Sequence, residues 1–253
     1  MESVRRADLV TLLNGTVNGA AMLTVEDLTI RFGGLAALSG ISFSVQPGAI
    51  TGLIGPNGAG KTTCFNCITR LYQPDSGSIR LRGEDLLRVS AHEVVGRGVA
   101  RTFQNLELFA TMTAQENVLV GLHAGRRSTR TARELLDYVG LSALADRPVR
   151  SLPFGARKMV ELARALASAP SLLLLDEPAA GFGHEEVAAL AERIERIPND
   201  FDTTILMVEH QMQLVMRVCE HIVVLDAGQK LAEGDPASVA SNSAVIDAYL
   251  GTV

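Results

Sequence analysis

Residues 55–62 read GPNGAGKT and fit the spacing G-x-x-x-x-G-K-[ST]. A strand-like apolar run, AITGLIG, leads into them, and a helical pattern, KTTCFNCITRLY, follows. A glycine-rich loop in that setting is a phosphate cradle. Gly58 and Gly60 let the backbone bend tightly, so that its N–H groups point at phosphate oxygens. The helix start adds a partial positive charge. Lys61 is spaced to reach the terminal phosphates, and the Thr62 hydroxyl to bind Mg2+.

The rest of the chain has to build a sheet that carries this loop. Residues 1–22 show weak periodicity and are expected to form a disordered extension, with Met22 as the native start. From 23 to about 83, LTVEDLTI and ISFSV alternate polar and apolar residues, as strands do. From about 84 to 150 the reading is mostly helical, through TAQENVLVGLHA and TRTARELLDYVGL. The basic stretch AGRRSTR between them reads as solvated surface. From 151 helices alternate with strands: ARKMVELARALAS, SLLLL, EEVAALAERIERI, TTILMV. That alternation predicts parallel strands with crossover helices. HIVVLDAGQKLAEG predicts a hairpin turning at Ala227-Gly228, followed by a small helical tail. Cys64 and Cys67, three residues apart on a helix, read as small core residues.

Two further segments carry chemistry. SLLLLDEP at 171–178 ends a buried strand in two carboxylates, where an open parallel sheet binds its ligands. Asp176 is suited to hold Mg2+, and Glu177 to orient or deprotonate an attacking water. MVEHQM at 207–212 places His210 just past the next strand, in reach of a terminal phosphate. Composition narrows the partners. A net charge of −5 argues against general nucleic-acid binding. Three cysteines make no disulfide framework and suit a reducing compartment. The richest apolar stretch, ALASAPSLLLL, falls well short of the roughly 20 residues a membrane span needs. Any membrane role is therefore expected to run through a partner.

GPNGAGKT, TFQN, LPFGARK, LLLLDEP and VEHQM resemble, in order and spacing, the ATP-binding subunits of ABC transporters, over about residues 23–251. The resemblance implies an α/β P-loop NTPase of ABC type: a mixed core sheet, an antiparallel β subdomain, and a helical subdomain at about 105–168. It implies a single ATPase domain that binds ATP and Mg2+. Phe32 then looks like the aromatic that stacks on adenine. Gly55, Pro56, Asn57, Gly58, Ala59, Gly60, Lys61, Thr62 and Thr63 would line the phosphates. Gln104 would reach Mg2+ and the attacking water, so that Gln104, Glu177 and His210 form the catalytic set and Thr62, Gln104 and Asp176 the metal set. Residues 105–118 would meet a membrane subunit. Leu152, Pro153, Phe154 and Gly155 fall in the family's signature segment, which in the dimer touches the ATP of the other subunit. RFGGLAAL, GVARTFQN, DEPAAG and LAEGDP with AVIDAYLG look like the ATPases of branched-chain amino-acid importers, whose relatives move urea or amides. Expected partners are two transmembrane permease subunits, a second ATPase subunit and, indirectly, an extracytoplasmic solute-binding protein. The expected location is the cytoplasmic face of the inner membrane.

The signature departs from the family's usual Leu-Ser-Gly-Gly-Gln. Pro153 supplies neither hydroxyl nor N–H, and Ala156 replaces the glutamine. Gly183 stands where many members carry an Asp that links the two ATP sites. With a different ATPase as partner, these departures predict unequal sites, the one built on this chain being the faster. Two competing readings are a soluble ATP switch without a permease and a hydrolysis-poor regulatory subunit. The first usually needs tandem units or long insertions, and Glu177 and His210 argue against the second.

Overall fold

The computed structural model describes residues 21–125 and 128–250. The expected extension therefore lies almost wholly outside the described residues. Met22 is buried, and it exchanges backbone bonds with Val45 and Arg82, which places it with the folded unit.

Ten strands form two sheets among the described residues. β1 (Leu23–Phe32), β2 (Leu35–Val45), β4 (Ser76–Leu81) and β5 (Glu84–Asp85) make an antiparallel sheet in the order β2-β1-β4-β5. The second sheet runs β10-β9-β3-β8-β7-β6. It comprises β3 (Ile50–Ile54), β6 (Val99–Arg101), β7 (Leu172–Asp176), β8 (Thr204–Val208), β9 (His221–Asp226) and β10 (Gln229–Gly234). All its pairings are parallel except β9–β10. The β9–β10 turn falls at Ala227 (φ 44°) and Gly228 (φ 78°), the double positive φ of a tight hairpin, as the sequence predicts.

Period-2 alternation divides the parallel sheet between two cores. Leu172 and Leu174 face one side with Leu53, Leu206 and Val208; Leu173 and Leu175 face the other with Ile54, Ile205 and Met207. On the first side lie the antiparallel sheet and α1 (Lys61–Ile68), whose Cys64 and Cys67 are fully buried. On the second lie α2 (Ala114–Ala124), α3 (Ala132–Tyr138), α4 (Phe154–Ala167), α5 (His184–Phe201) and α6 (Met212–Val218). Two short helices, α7 (Pro236–Ala240) and α8 (Ser243–Leu250), follow β10. None of the described helices is long and apolar enough to cross a membrane.

Two sequence expectations need correction. The stretch from 84 to 150 is not uniformly helical: Val99–Arg101 is an edge strand paired with Leu172–Leu174. Three residues are too few to show a period. Within the basic stretch, Arg126 and Arg127 lie outside the described residues, but Arg130 is packed. Its guanidinium sits 4.3 Å from the Phe201 ring centroid and donates to the Asp200 carbonyl at 2.8 Å. The cation pins the α3 region to the end of α5.

Helices α2 and α4 approach closely at Gly121. A Cβ there would stand 2.1 Å from the Arg164 carbonyl oxygen, which is backbone and cannot swing away. Gly121→Ala is expected to cost about 2–3 kcal/mol by overpacking. Gly34→Ala, where a Cβ meets nothing within 4 Å, should stay within about 0.5 kcal/mol of the parent. Urea unfolding of both variants checks the contrast.

Candidate active site at the carboxyl ends of the parallel strands

Parallel strands end at one edge, and register brings their tails together. Leu53 pairs with Val208, Val208 with Asp176, and Leu174 with Arg101. The segments that follow β3, β6, β7 and β8 therefore share one rim of the sheet. That rim collects the 55–63 loop, Gln104, Asp176–Glu177 and His210.

The loop is shaped by glycine where nothing else fits. Gly55 has φ 148°, and a Cβ there would meet the Leu225 carbonyl oxygen at 2.0 Å. Gly60 caps α1 with φ 103°, and a Cβ there would meet Leu38 Cδ2 at 2.5 Å and the Ala37 oxygen at 2.7 Å. No side chain caps α1 and no acidic residue sits in its first turn. Its leading N–H groups and dipole are thus available to an anion. Lys61 folds back over the loop, donating to the Gly55 and Pro56 carbonyls at 2.7 and 2.9 Å. Burial pulls its pKa down, while the nearby Glu177 and Asp176 favour the charged form. Thr62 is exposed in the first turn and Thr63 is half-buried.

Asp176 is only 1% exposed. Its Oδ2 accepts from Arg101 at 2.7 Å, and its Oδ1 is buried with no hydrogen-bond partner. Burial pushes its pKa up, against the pull of Arg101. Thr62 hydroxyl, Gln104 amide oxygen and the free Asp176 oxygen are hard donors that suit Mg2+, which takes one or two carboxylates alongside phosphate oxygens. The orphaned Oδ1 is the observation that fits such an ion.

Glu177 stands at φ 48°, a left-handed conformation rare for a side-chain-bearing residue. Contacts of its main chain and side chain hold it there, and its carbonyl also accepts the Ala180 N–H at 3.1 Å. Its N–H donates to the Val208 carbonyl at 2.9 Å, its own carbonyl accepts from Lys158 Nζ at 2.8 Å, and its Oε2 accepts from Gln104 Nε2 at 3.0 Å. His210 Nδ1 lies 3.8 Å from Glu177 Oε1. Strain of this kind, of order 1–3 kcal/mol, persists only where the surroundings over-determine it. The predicted catalytic trio of Gln104, Glu177 and His210 is thus in one place.

The other predicted residues lie elsewhere. Leu152 is buried; Pro153 precedes α4 without any side-chain cap, and its carbonyl accepts the Arg157 N–H at 3.1 Å. The N–H groups of Phe154 and Gly155 are in the first turn, which makes no intrahelical bond through them. Phe154 is exposed and lies against Gly181, while Gly155 faces Phe182 and Glu186. Phe32, at the end of β1, is half exposed and meets Tyr72 edge-on, with centroids 5.2 Å apart. Gly183 starts α5, its N–H donating to Glu186 at 2.9 Å.

Sequence reasoning missed Arg101, Lys158, Glu161 and Glu209. Glu209 is fully buried and accepts from the Ala179 N–H at 3.0 Å, the His210 N–H at 2.7 Å and the Gln211 N–H at 3.0 Å. It joins the segment after Glu177 to His210. Glu161, on α4, accepts the Phe103 N–H at 3.1 Å and so holds the approach to Gln104. The only local signal is a charge at a strand end or on the buried face of a helix.

The chain is similar to known proteins over most of its length. The ABC transporter family profile matches residues 38–180, and that of the branched-chain amino acid ATP-binding cassette transporter matches residues 229–253. The chain is 43% identical over 249 residues to the high-affinity branched-chain amino acid transport ATP-binding protein BraF of Pseudomonas aeruginosa, covering 91% of this chain and 98% of that one. It is 40% identical to LivG of Escherichia coli, a transport ATP-binding protein of the same description, with the same coverage. Among solved structures, the ADP conformation of MJ1267, an ATP-binding cassette of an ABC transporter, superimposes with a TM-score of 0.82 at 30% identity. That match covers 92% of this chain and all of the other.

Two measurements test the supports of this rim. Glu209→Ala leaves three backbone donors without their acceptor and is expected to cost roughly 3 kcal/mol or more in urea unfolding. For Glu161, burial raises the pKa more than the Phe103 bond and the Arg164 charge lower it. The folded state then holds the proton more tightly, so this contribution is present below the ordinary carboxylate pKa, near about 4.3, and is lost as pH rises through the folded pKa. Glu161→Gln should be more stable than the parent at about pH 7, with the gap closing toward about pH 4 in paired thermal melts. A gap that widens on acidification contradicts the assignment.

Proposed function

The chain belongs to the ABC transporter family as an ATP-binding subunit that hydrolyses ATP to drive transport, and we propose that it powers import of branched-chain or related hydrophobic amino acids. Subunits of this kind act with membrane permease subunits and as ATPase dimers. The finer assembly we propose is two permease subunits, a second ATPase that sandwiches two ATP molecules, and a solute-binding protein on the far side. The subunit then sits on the cytoplasmic face of the inner membrane. The curated relatives' description as branched-chain amino acid transport ATP-binding proteins supports the solute class.

Within that reading each predicted residue has a task. Gly55 through Thr63 cradle the phosphates, with Lys61 leaving its own loop carbonyls for the terminal phosphates. Phe32 offers its open face to adenine. Thr62, Gln104 and Asp176 would hold Mg2+, which neutralises phosphate charge when bound. Glu177, aimed by its pinned peptide, accepts a proton from the water that attacks the terminal phosphate in line. Gln104 orients that water, and His210 contacts the terminal phosphate. Leu152 to Gly155 meet the nucleotide held by the other subunit through the N–H groups of Phe154 and Gly155. With Pro153 and Ala156 in that segment, the site completed by this chain's signature is the slower one in a mixed dimer.

The observation that carries the reading is the Gln104–Glu177–His210 cluster beside Lys61 and the orphaned Asp176 oxygen. Glu177→Gln is expected to lower phosphate release by at least about 100-fold while retaining ATP binding. Phosphate release together with fluorescent-nucleotide binding checks both arms. Unchanged turnover would remove Glu177 from the reaction.

A further inference from the structure

Arg101 is a buried cation that the functions assigned above do not use. Its side chain is 6% exposed, and it reaches three elements at once. One terminal nitrogen, NH2, donates to Asp176 Oδ2 at 2.7 Å. The other, NH1, donates to Asn66 Oδ1 at 2.7 Å and to Thr69 Oγ1 at 3.3 Å, both on or at the end of α1. The guanidinium lies over two rings, 5.4 Å from the Phe65 centroid and 5.1 Å from that of Phe103. Phe65 belongs to α1, and Phe103 is the residue before Gln104.

These contacts tie together the carriers of every group proposed for the metal. α1 carries Thr62 in its first turn, β7 ends in Asp176, and β6 runs on to Gln104. The carboxylate has two oxygens, and Arg101 takes one of them. The other, Oδ1, is left buried and without a partner. A lysine ammonium has no planar fork and would not span Asp176 and Asn66 with fixed geometry.

We propose that Arg101 is the positioning residue of the metal site: by occupying Asp176 Oδ2 and bracing α1, it leaves Asp176 Oδ1 as the one free acceptor and holds it in register with Thr62. Arg101 touches neither nucleotide nor metal in this scheme. It acts through Asp176, as outer-shell partners of metal ligands do. The proposal rests on the metal roles given to Thr62 and Asp176.

The test uses the full chain and two thermal shifts, one with ATP in EDTA and one with ATP and a titration of MgCl2. In the parent, Mg2+ should add to the shift produced by ATP alone, and Asp176→Asn should remove that addition. Arg101→Met should keep the ATP–EDTA shift and raise the Mg2+ midpoint by about tenfold or more. Arg101→Lys should fall between the two. An unchanged midpoint in Arg101→Met overturns the proposal. So does parallel loss of the ATP–EDTA shift, which is what a general loosening of the loop would give. If Arg101→Met does not fold, Arg101→Lys decides by the same two outcomes. A parent that shows no Mg2+ addition overturns the metal reading itself, and this proposal with it, whereas a responsive parent with an unaffected Arg101 variant overturns this proposal alone.

Discussion

Hydrogen bonding of β3 on both sides to parallel partners, β8 and β9, is the constraint from which the site follows. All five β3 residues are buried, so the strand can neither slide nor turn over without exposing a core face. Its loop must therefore emerge at one edge, and parallel neighbours deliver their own tails to that edge. Asp176, His210 and Gln104 need no contact with the loop during folding to arrive beside it. Register alone brings them there.

The rim is also where the structure concentrates its costs. Gly55 and Gly60 hold conformations closed to other residues, Glu177 is left-handed, and Asp176, Arg101 and Glu209 are buried ionisable groups. Glu177 and the buried ionisable groups are each compensated by a specific partner rather than by general packing. Glu209 satisfies three backbone donors, Arg101 pairs with Asp176, and Lys158 bonds the Glu177 carbonyl. Removing one partner strands the other away from water, which costs more than the pair is worth in isolation. The rim is therefore held by named pairs of groups, each of which fixes the other's place.

What the amino-acid pattern discloses here depends on sequence distance. The phosphate loop was legible because its chemistry lies within eight consecutive residues, flanked by a strand and a helix. Asp176, Glu177 and His210 were legible because they end recognisable strands. Phe32, Gln104 and the signature residues needed the family resemblance, since nothing local distinguishes them. Arg101 and Lys158 stayed hidden because their partners are 75 and 19 residues away. Edge strand β6 hid for another reason: three residues carry no periodicity, and only pairing with β7 makes them a strand. Arg130 was misread because a basic run suggests solvent, while the Phe201 ring that receives it is far along the chain.

The crossing at Gly121 has a mechanical consequence. There α2 meets α4 through main chain, its Cα against the Arg164 carbonyl with no side chain between. Side chains act as springs: they change rotamer and absorb a displacement. Bare backbone has no such compliance. A displacement of α2 at this crossing therefore has to be taken up by the main chain of α4, whose first turn begins at Phe154 and Gly155 just after Pro153. One missing methyl group lets two helices bear on each other directly, backbone to backbone.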